Sequence, residues 1–202
     1  MSNLKNLLFR LFMLASLLLF SACKNDNISV PKPRAYPKVE FIKKEEKLTT
    51  FENCPFSFDF PSYGKLQKAK TAKGQEAMDC WFDINIKPYN ARIHCSYIPI
   101  NKKEDLEQYV KDAFTISGQI NKRSDYMSEE LIETKNGIKG LKMIFEGPAA
   151  SPCHFYLTDE IEHFLKASLY FDTQVNPDSL APITQYLLQD VDNMIATFKW
   201  KR

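Results

Sequence analysis

Five cysteines and three histidines are the residues of this 202-residue chain best suited to covalent or metal chemistry. The cysteines are Cys23, Cys54, Cys80, Cys95 and Cys153, and the histidines are His94, His154 and His163. His94-Cys95 and Cys153-His154 place a histidine beside a cysteine, which invites a zinc reading. Structural zinc, however, takes four converging ligands from closely spaced Cys and His pairs, and no such spacing occurs. Both dipeptides lie in alternating, strand-like runs, where neighbouring side chains point to opposite faces of a sheet. Cys95 then shares an apolar face with Ile93 and Tyr97, and Cys153 shares one with Phe155 and Leu157, as small buried thiols. His94 and His154 fall on the other face, towards solvent. Neither a metal nor an organic cofactor is expected.

Carboxylate pairs occur at Glu129-Glu130, Asp159-Glu160 and Asp190/Asp192. Proton transfer would need one of them in a cleft beside a second group of defined role. Nothing in the spacing supplies that group, so they read as solvated charges. A nucleophilic thiol needs an adjacent base, and Cys95 near a histidine is the candidate. The chain has no GxSxG, HExxH, P-loop or GxGxxG signature. No catalytic residue is therefore expected. Lys43-Lys44-Lys47 and Lys65-Lys68-Lys70-Lys73 are basic clusters offset by Glu45, Glu46 and Glu76. The second set lacks the interleaved aromatics of a nucleic-acid groove, so nucleic acid is not an expected partner.

Cys23 stands apart because of what precedes it. Met1–Ala22 holds Lys5, Arg10 and no acid, then the apolar stretch Leu11–Phe20, then Ser21-Ala22. A basic start, a short apolar run and small residues before the cut make a secretory signal. The run falls well short of the roughly 20 residues that span a bilayer. Ser21-Ala22-Cys23 resembles the lipobox of bacterial lipoproteins, with Phe20 where Leu is usual and Leu19 beside it. The resemblance implies that Cys23 becomes N-terminal and carries a diacylglyceryl/N-acyl lipid of the palmitate kind, so a membrane is an expected partner. Lys24–Lys38 contains Pro31, Pro33 and Pro37 and few apolar groups, and reads as an extended tether. The expected organisation is a lipoprotein signal peptide over 1–22, a lipid-anchored tether over 23–39 and a single globular α+β domain over 40–202.

The formal charge of the whole chain is +2, from 27 basic and 25 acidic residues. Both excess charges lie in the signal, so the remainder is neutral and implies no electrostatic partner. Composition, at 44% hydrophobic and 13% aromatic, excludes collagen, coiled coil, low-complexity disorder and a multi-span membrane protein. With Cys23 lipidated, four cysteines remain in a compartment where disulfides persist, and three complete pairings are open.

Positioning these residues falls to a short list of elements. Phe56–Phe60 and Cys80–Lys87 alternate as strands, and Ile93, Cys95 and Tyr97 continue the period beyond Pro88-Tyr89-Asn90 as a hairpin. The stretch between Phe60 and Cys80 reads as a loop. Asn101 caps a helix whose apolar face is Leu106, Tyr109, Val110, Ala113 and Phe114, with Glu104 reaching back. Asn136-Gly137 is a hairpin turn between Glu130–Lys135 and Ile138–Glu146. Cys153–Thr158 and His163–Phe171 are two further strands. Asn176-Pro177-Asp178 opens a last helix with the stripe Leu180, Ile183, Leu187, Val191, Met194, Ile195 and Phe198. The order implies an α+β fold, a mainly antiparallel sheet with two or more helices packed on it.

Several local strings remain, spread in order over the chain. They are Pro33-Arg34-Ala35-Tyr36-Pro37, Cys54-Pro55-Phe56-Ser57-Phe58-Asp59-Phe60-Pro61, Cys80-Trp81-Phe82-Asp83-Ile84, Ala91-Arg92-Ile93-His94 and Ala149-Ala150-Ser151-Pro152. Phe155-Tyr156-Leu157-Thr158-Asp159, Asn176-Pro177-Asp178-Ser179-Leu180-Ala181-Pro182 and Ile195-Ala196-Thr197-Phe198-Lys199-Trp200 complete the set. With the lipobox, they resemble the GldD-type gliding-motility-associated lipoproteins, although Ala35 stands where that family usually has glycine. The resemblance implies a non-enzymatic accessory or scaffold component of the gliding-motility and type IX protein secretion apparatus, partnered by other proteins of that machinery. It favours Cys54 and Cys80 as a disulfide pair and supplies no catalytic residue. Expected localisation is the cell envelope, lipid-anchored and periplasm-facing, with inner or outer membrane left open. The working surface is expected near Tyr36 and Trp200. On the residues alone, a periplasmic small-ligand-binding lipoprotein and a periplasmic enzyme with an unrecognised site remain alternatives. The strand and helix order also resembles PsbP-like modules, at the level of fold only.

Overall fold

The computed structural model describes residues 38–50, 53–70, 78–174 and 176–201. The signal, Cys23, the tether up to Pro37 and Tyr36 lie outside the described residues. Among the described residues, ten strands and two helices follow in the order β1 (Glu46–Thr50), β2 (Phe56–Pro61), β3 (Lys65–Lys68), β4 (Trp81–Ile86), β5 (Ala91–Pro99), α1 (Lys103–Asn121), β6 (Tyr126–Glu133), β7 (Lys139–Glu146), β8 (Cys153–Thr158), β9 (His163–Phe171), α2 (Pro177–Thr197) and β10 (Lys199–Trp200). The class is the expected α+β.

Turn chemistry sets the pairing. A short 3-10 turn at Lys87–Tyr89 ends on Asn90 in the left-handed region and folds β5 back onto β4. Gly137, at φ +74°, reverses β6 into β7 across all eight residues of β6. Between β8 and β9, Asp159 Oδ1 accepts from the backbone N–H groups of Ile161, Glu162 and His163 at 3.0, 2.9 and 2.9 Å. These hairpins build a seven-stranded antiparallel sheet in the order β3-β4-β5-β9-β8-β7-β6, with α1 crossing from β5 to the far edge. Gly140 lets β7 meet β8 closely, because a Cβ there would lie 1.9 Å from the Tyr156 carbonyl oxygen.

Register fixes two unlike faces. Phe82, Cys95, Ala167 and Phe155 face one another across four strands, as do Ile84, Ile93, Leu169 and Cys153 one step along. This apolar face is covered by α2 and by a three-stranded sheet in the order β1-β2-β10. Phe56, Phe58 and Phe60 of β2 are buried against it, with Phe58 and Phe198 stacked at 6.1 Å and Phe56 and Phe82 at 5.8 Å. Each such pair contributes about 0.5–1.5 kcal/mol beyond its buried area. The opposite face carries Leu141, Met143 and Phe145 at one end, covered by α1, and Asp83, His94 and Asn85 at the other.

Four expectations are corrected here. The stretch after Phe60 is not all loop, because Lys65–Lys68 pairs with β4 as an exposed strand. The cap of α1 is shifted by one residue, since Asp105, and not Glu104, accepts from the backbone N–H groups of Asn101 and Lys102 at 3.1 and 2.9 Å. The N- and C-terminal strands β1 and β10 both pair with β2, which the sequence pattern did not suggest. Trp200 is half-buried against Phe198, Phe56 and His163, and so is no freely exposed aromatic end.

Candidate functional site

Polar side chains with defined partners gather in three places. The first is where the chain enters the domain. The Tyr89 hydroxyl accepts from the Ile42 N–H at 2.9 Å, and the Tyr186 hydroxyl donates to the Ile42 carbonyl, so one residue is gripped by both backbone groups. Phe41 stacks on Tyr186 with centroids 4.6 Å apart. Lys44 Nζ sits 4.2 Å from the Tyr186 ring centre and 2.5 Å from Asp190 Oδ1. Tyr63 donates to Asp190 Oδ2.

Asp190 is only 1% exposed, which corrects its reading as a solvated charge on the outer face of α2. A carboxylate at that depth costs several kcal/mol unless it is paired and hydrogen-bonded. Oδ1 accepts no aligned hydrogen bond, so there its compensation is ionic, from Lys44. The cluster disfavours further negative charge. Burial first, then the bond to Asp190, pushes the Tyr63 phenol far above its ordinary range. Burial and the Asp190 charge likewise raise the Glu46 carboxyl, which accepts from Asn193 at 2.9 Å.

The second place is the polar end of the large sheet. Asp83 on β4 and His94 on β5 face each other directly, with Asp83 Oδ1 2.7 Å from His94 Nδ1. Ser96 Oγ lies 3.3 Å from His94 Nε2. Strand geometry produces this order, because His94 and Ser96 are two residues apart and share a face. Sequence reasoning missed the trio, although the i, i+2 spacing beside an alternating partner strand carried a signal. Its connectivity is that of a serine, base and orienting-acid relay. Acyl transfer would also need an accessible hydroxyl and donors for an oxyanion, whereas Ser96 is 3% exposed on a pleated sheet.

The third place is under α1. His154 is 3% exposed, against the expectation of a solvent-facing ring, because α1 covers this part of the sheet. It packs edge-on against Phe145 at 5.7 Å, with the Ser117 hydroxyl 3.5 Å from Nδ1. Burial, reinforced by the Lys166 charge, lowers its pKa to about 4.

The remaining sequence candidates separate from one another. Cys54 and Cys80 are bonded, with Cα atoms 5.5 Å apart, and tie β2 to β4. Cys95 and Cys153 are free thiols in the apolar face, and neither turns towards its neighbouring histidine. Burial raises the Cys95 thiol well above its ordinary range and pushes Cys153 up to about 12, so neither is a nucleophile at neutral pH. Glu129 is exposed on β6, and Glu130 and Asp192 both bind Lys142 Nζ, at 2.7 and 2.6 Å. His163 accepts from or donates to the Tyr97 hydroxyl at 2.9 Å and stacks on Trp200. Among the described residues no group of three or more His, Cys, Asp or Glu could hold a metal ion, and no helix is long and apolar enough to cross a membrane. Surface grooves lined by described residues have volumes of about 210, 390 and 540 Å³.

The neutral, buried imidazole of His154 makes a signed prediction. Its folded pKa lies below the ordinary value, so its contribution is complete above about pH 6.5 and is lost as pH falls towards 4. Between pH 7 and 4.5 the loss is roughly 2–3 kcal/mol. Urea unfolding of the native protein and of His154→Gln should diverge in pH dependence by that amount, the variant being flatter. Parallel curves would contradict the assignment.

No curated protein matches the chain. A solved relative in shape is the solution structure of cyanobacterial PsbP (CyanoP) from Synechocystis, 8% identical, covering 81% of this chain and 97% of that one, with a TM-score of 0.39. The sequence model of the gliding motility lipoprotein GldD family matches residues 26–200. That span takes in both sheets, both helices and the clasp on Ile42, and by it the chain belongs to the GldD family of gliding motility lipoproteins.

Proposed function

We propose that the protein is a non-enzymatic accessory or scaffold component of the gliding-motility and type IX protein secretion apparatus, held at a membrane through lipid on Cys23. The observation that carries this reading is the family match over residues 26–200, which includes every described element. The clasp supports it. A lipid-tethered domain needs a firm junction between tether and core, and Phe41, Ile42 and Lys44 supply one immediately downstream. Its partners are the membrane and other proteins of the machinery, and its place is the periplasm-facing envelope.

Replacing Cys23 with Ser tests the anchor. The variant should leave the membrane fraction, and cells carrying it should fail to spread. Retained membrane association with normal spreading would sink the proposal.

The enzyme alternative rests on Asp83, His94 and Ser96, and it separates cleanly from the scaffold. Under the proposal Ser96→Ala leaves spreading and secretion intact, since the hydroxyl serves only the polar face. A variant that is stably folded and anchored yet non-motile would instead assign chemistry to Ser96.

The Cys54–Cys80 bridge belongs to the same export reading. Closing a loop at a sequence separation of 26 contributes roughly 3 kcal/mol in the chain-entropy account. Non-reducing peptide mapping of the exported protein should recover Cys54 and Cys80 as one linked peptide. Finding both thiols free would remove the bridge from the account.

A further inference from the structure

The seven-stranded sheet ends on two unlike edges. At one, β3 is four residues long, fully exposed and begins and ends in lysine. Short length and lysines are the usual means of keeping a sheet edge from pairing with another chain. At the other, β6 runs for eight residues without lysine, proline or glycine, and it pairs only with β7. Its outer N–H and C=O groups have no ladder partner among the described residues. Leu131, near the end of β6, is 89% exposed, the most exposed large apolar side chain described. The groove of about 390 Å³ between α1 and this edge is lined by Leu106, Val110, Tyr156 and Leu131 itself.

We propose that β6 is a docking edge for an extended segment of another protein, which adds a strand beside it and presents an apolar residue to Leu131 flanked by basic residues. Alternation carries the details. Glu129, Leu131 and Glu133 share the α1 side of the sheet, so the residues opposite them on an added strand are also spaced by two. The complementary pattern is basic, any, apolar, any, basic. Lys139, opposite Glu133 on β7, is already engaged by Glu160 at 2.5 Å, and Lys142 lies on the other face with Glu130 and Asp192. Self-pairing fits worse. Antiparallel pairing of two β6 strands about Leu131 sets Glu129 against Glu133, and pairing centred one residue earlier sets Glu130 against Glu130. Directly opposed like charges destabilise a strand pair.

This inference rests on reading the domain as a docking component of the machinery, and its test is independent of motility. Purified full-length protein is titrated with a fluorescent peptide of core Lys-Thr-Val-Thr-Lys and with its Glu-Thr-Val-Thr-Glu counterpart. The lysine peptide should bind, and its amide-exchange protection should map to residues 127–133. Leu131→Lys, at an exposed position that leaves the fold and thermal stability unchanged, should weaken binding by about tenfold or more. Glu129→Lys with Glu133→Lys should reverse the preference between the two peptides. No binding, equal binding of both peptides, or protection elsewhere overturns the proposal. So does a homodimer in sedimentation that Leu131→Lys converts to monomer, because the occupant would then be a second copy. A spreading defect in Cys23→Ser with no peptide binding would leave the envelope role standing and remove this site alone.

Discussion

The structure depends on one requirement, that a seven-stranded antiparallel sheet with one continuous apolar face must have that face covered. The rows through Phe82 and Ile84 present buried side chains from β4 to β8. At about 25 cal/mol per Å² of apolar surface, leaving such a face wet would exceed the net stability of an ordinary domain. A single helix is too narrow to cover it. The chain therefore lays two elements on the same face, α2 and a small sheet centred on β2. Because β1 and β10 are the two strands that flank β2, covering the face also draws both ends of the described chain to one place. Lys201 N–H to Pro55 O at 2.8 Å and Asp59 N–H to the Thr197 hydroxyl at 2.9 Å finish the ladder where β10 is too short.

The opposite face has no such demand and is correspondingly divided. α1 covers only the end bearing Leu141, Met143 and Phe145. That division explains why the two histidines of this face, His94 and His154, read alike from sequence, differ so much. His94 lies beyond the helix beside Asp83, whereas His154 lies beneath it and is kept neutral. Alternation states which face a residue takes. It does not state which half of that face a helix will cover.

The same limit sorts what was legible from what was not. The apolar strands, the Asn136-Gly137 turn and the stripe of α2 are visible because burial writes a period into the sequence. β1 and β3 are nearly all exposed, and β10 is two residues long, so none bears that period. Asp190 was misread for a related reason. It falls between the buried Leu187 and Val191 on the helix surface, yet its charge outranked its position. Its partner Lys44 is 146 positions earlier in a segment without periodic pattern, and nothing local couples the two. The Asp83, His94 and Ser96 trio was half legible, since His94 and Ser96 share a strand while Asp83 joins them only through register.

The buried charge at Asp190 also gives the entry segment a definite mechanical meaning. Any pull on the chain from the N-terminal side reaches the domain through Val39, which packs on the main core, and then through Phe41, Ile42 and Lys44. Of these, Ile42 is held by two tyrosine hydroxyls and Lys44 by Asp190. Peeling the segment away would strip the ammonium from a carboxylate that water does not reach, and removing one partner of a buried pair is far more costly than losing a surface one. Load would therefore pass into α2, whose Leu187, Val191 and Met194 are packed in the main core, before β1 begins to unzip from β2. A ring stack such as that of Phe41 on Tyr186 would by itself slide under such a pull. The ion pair must be separated where water does not reach, so the junction resists until it breaks as a unit.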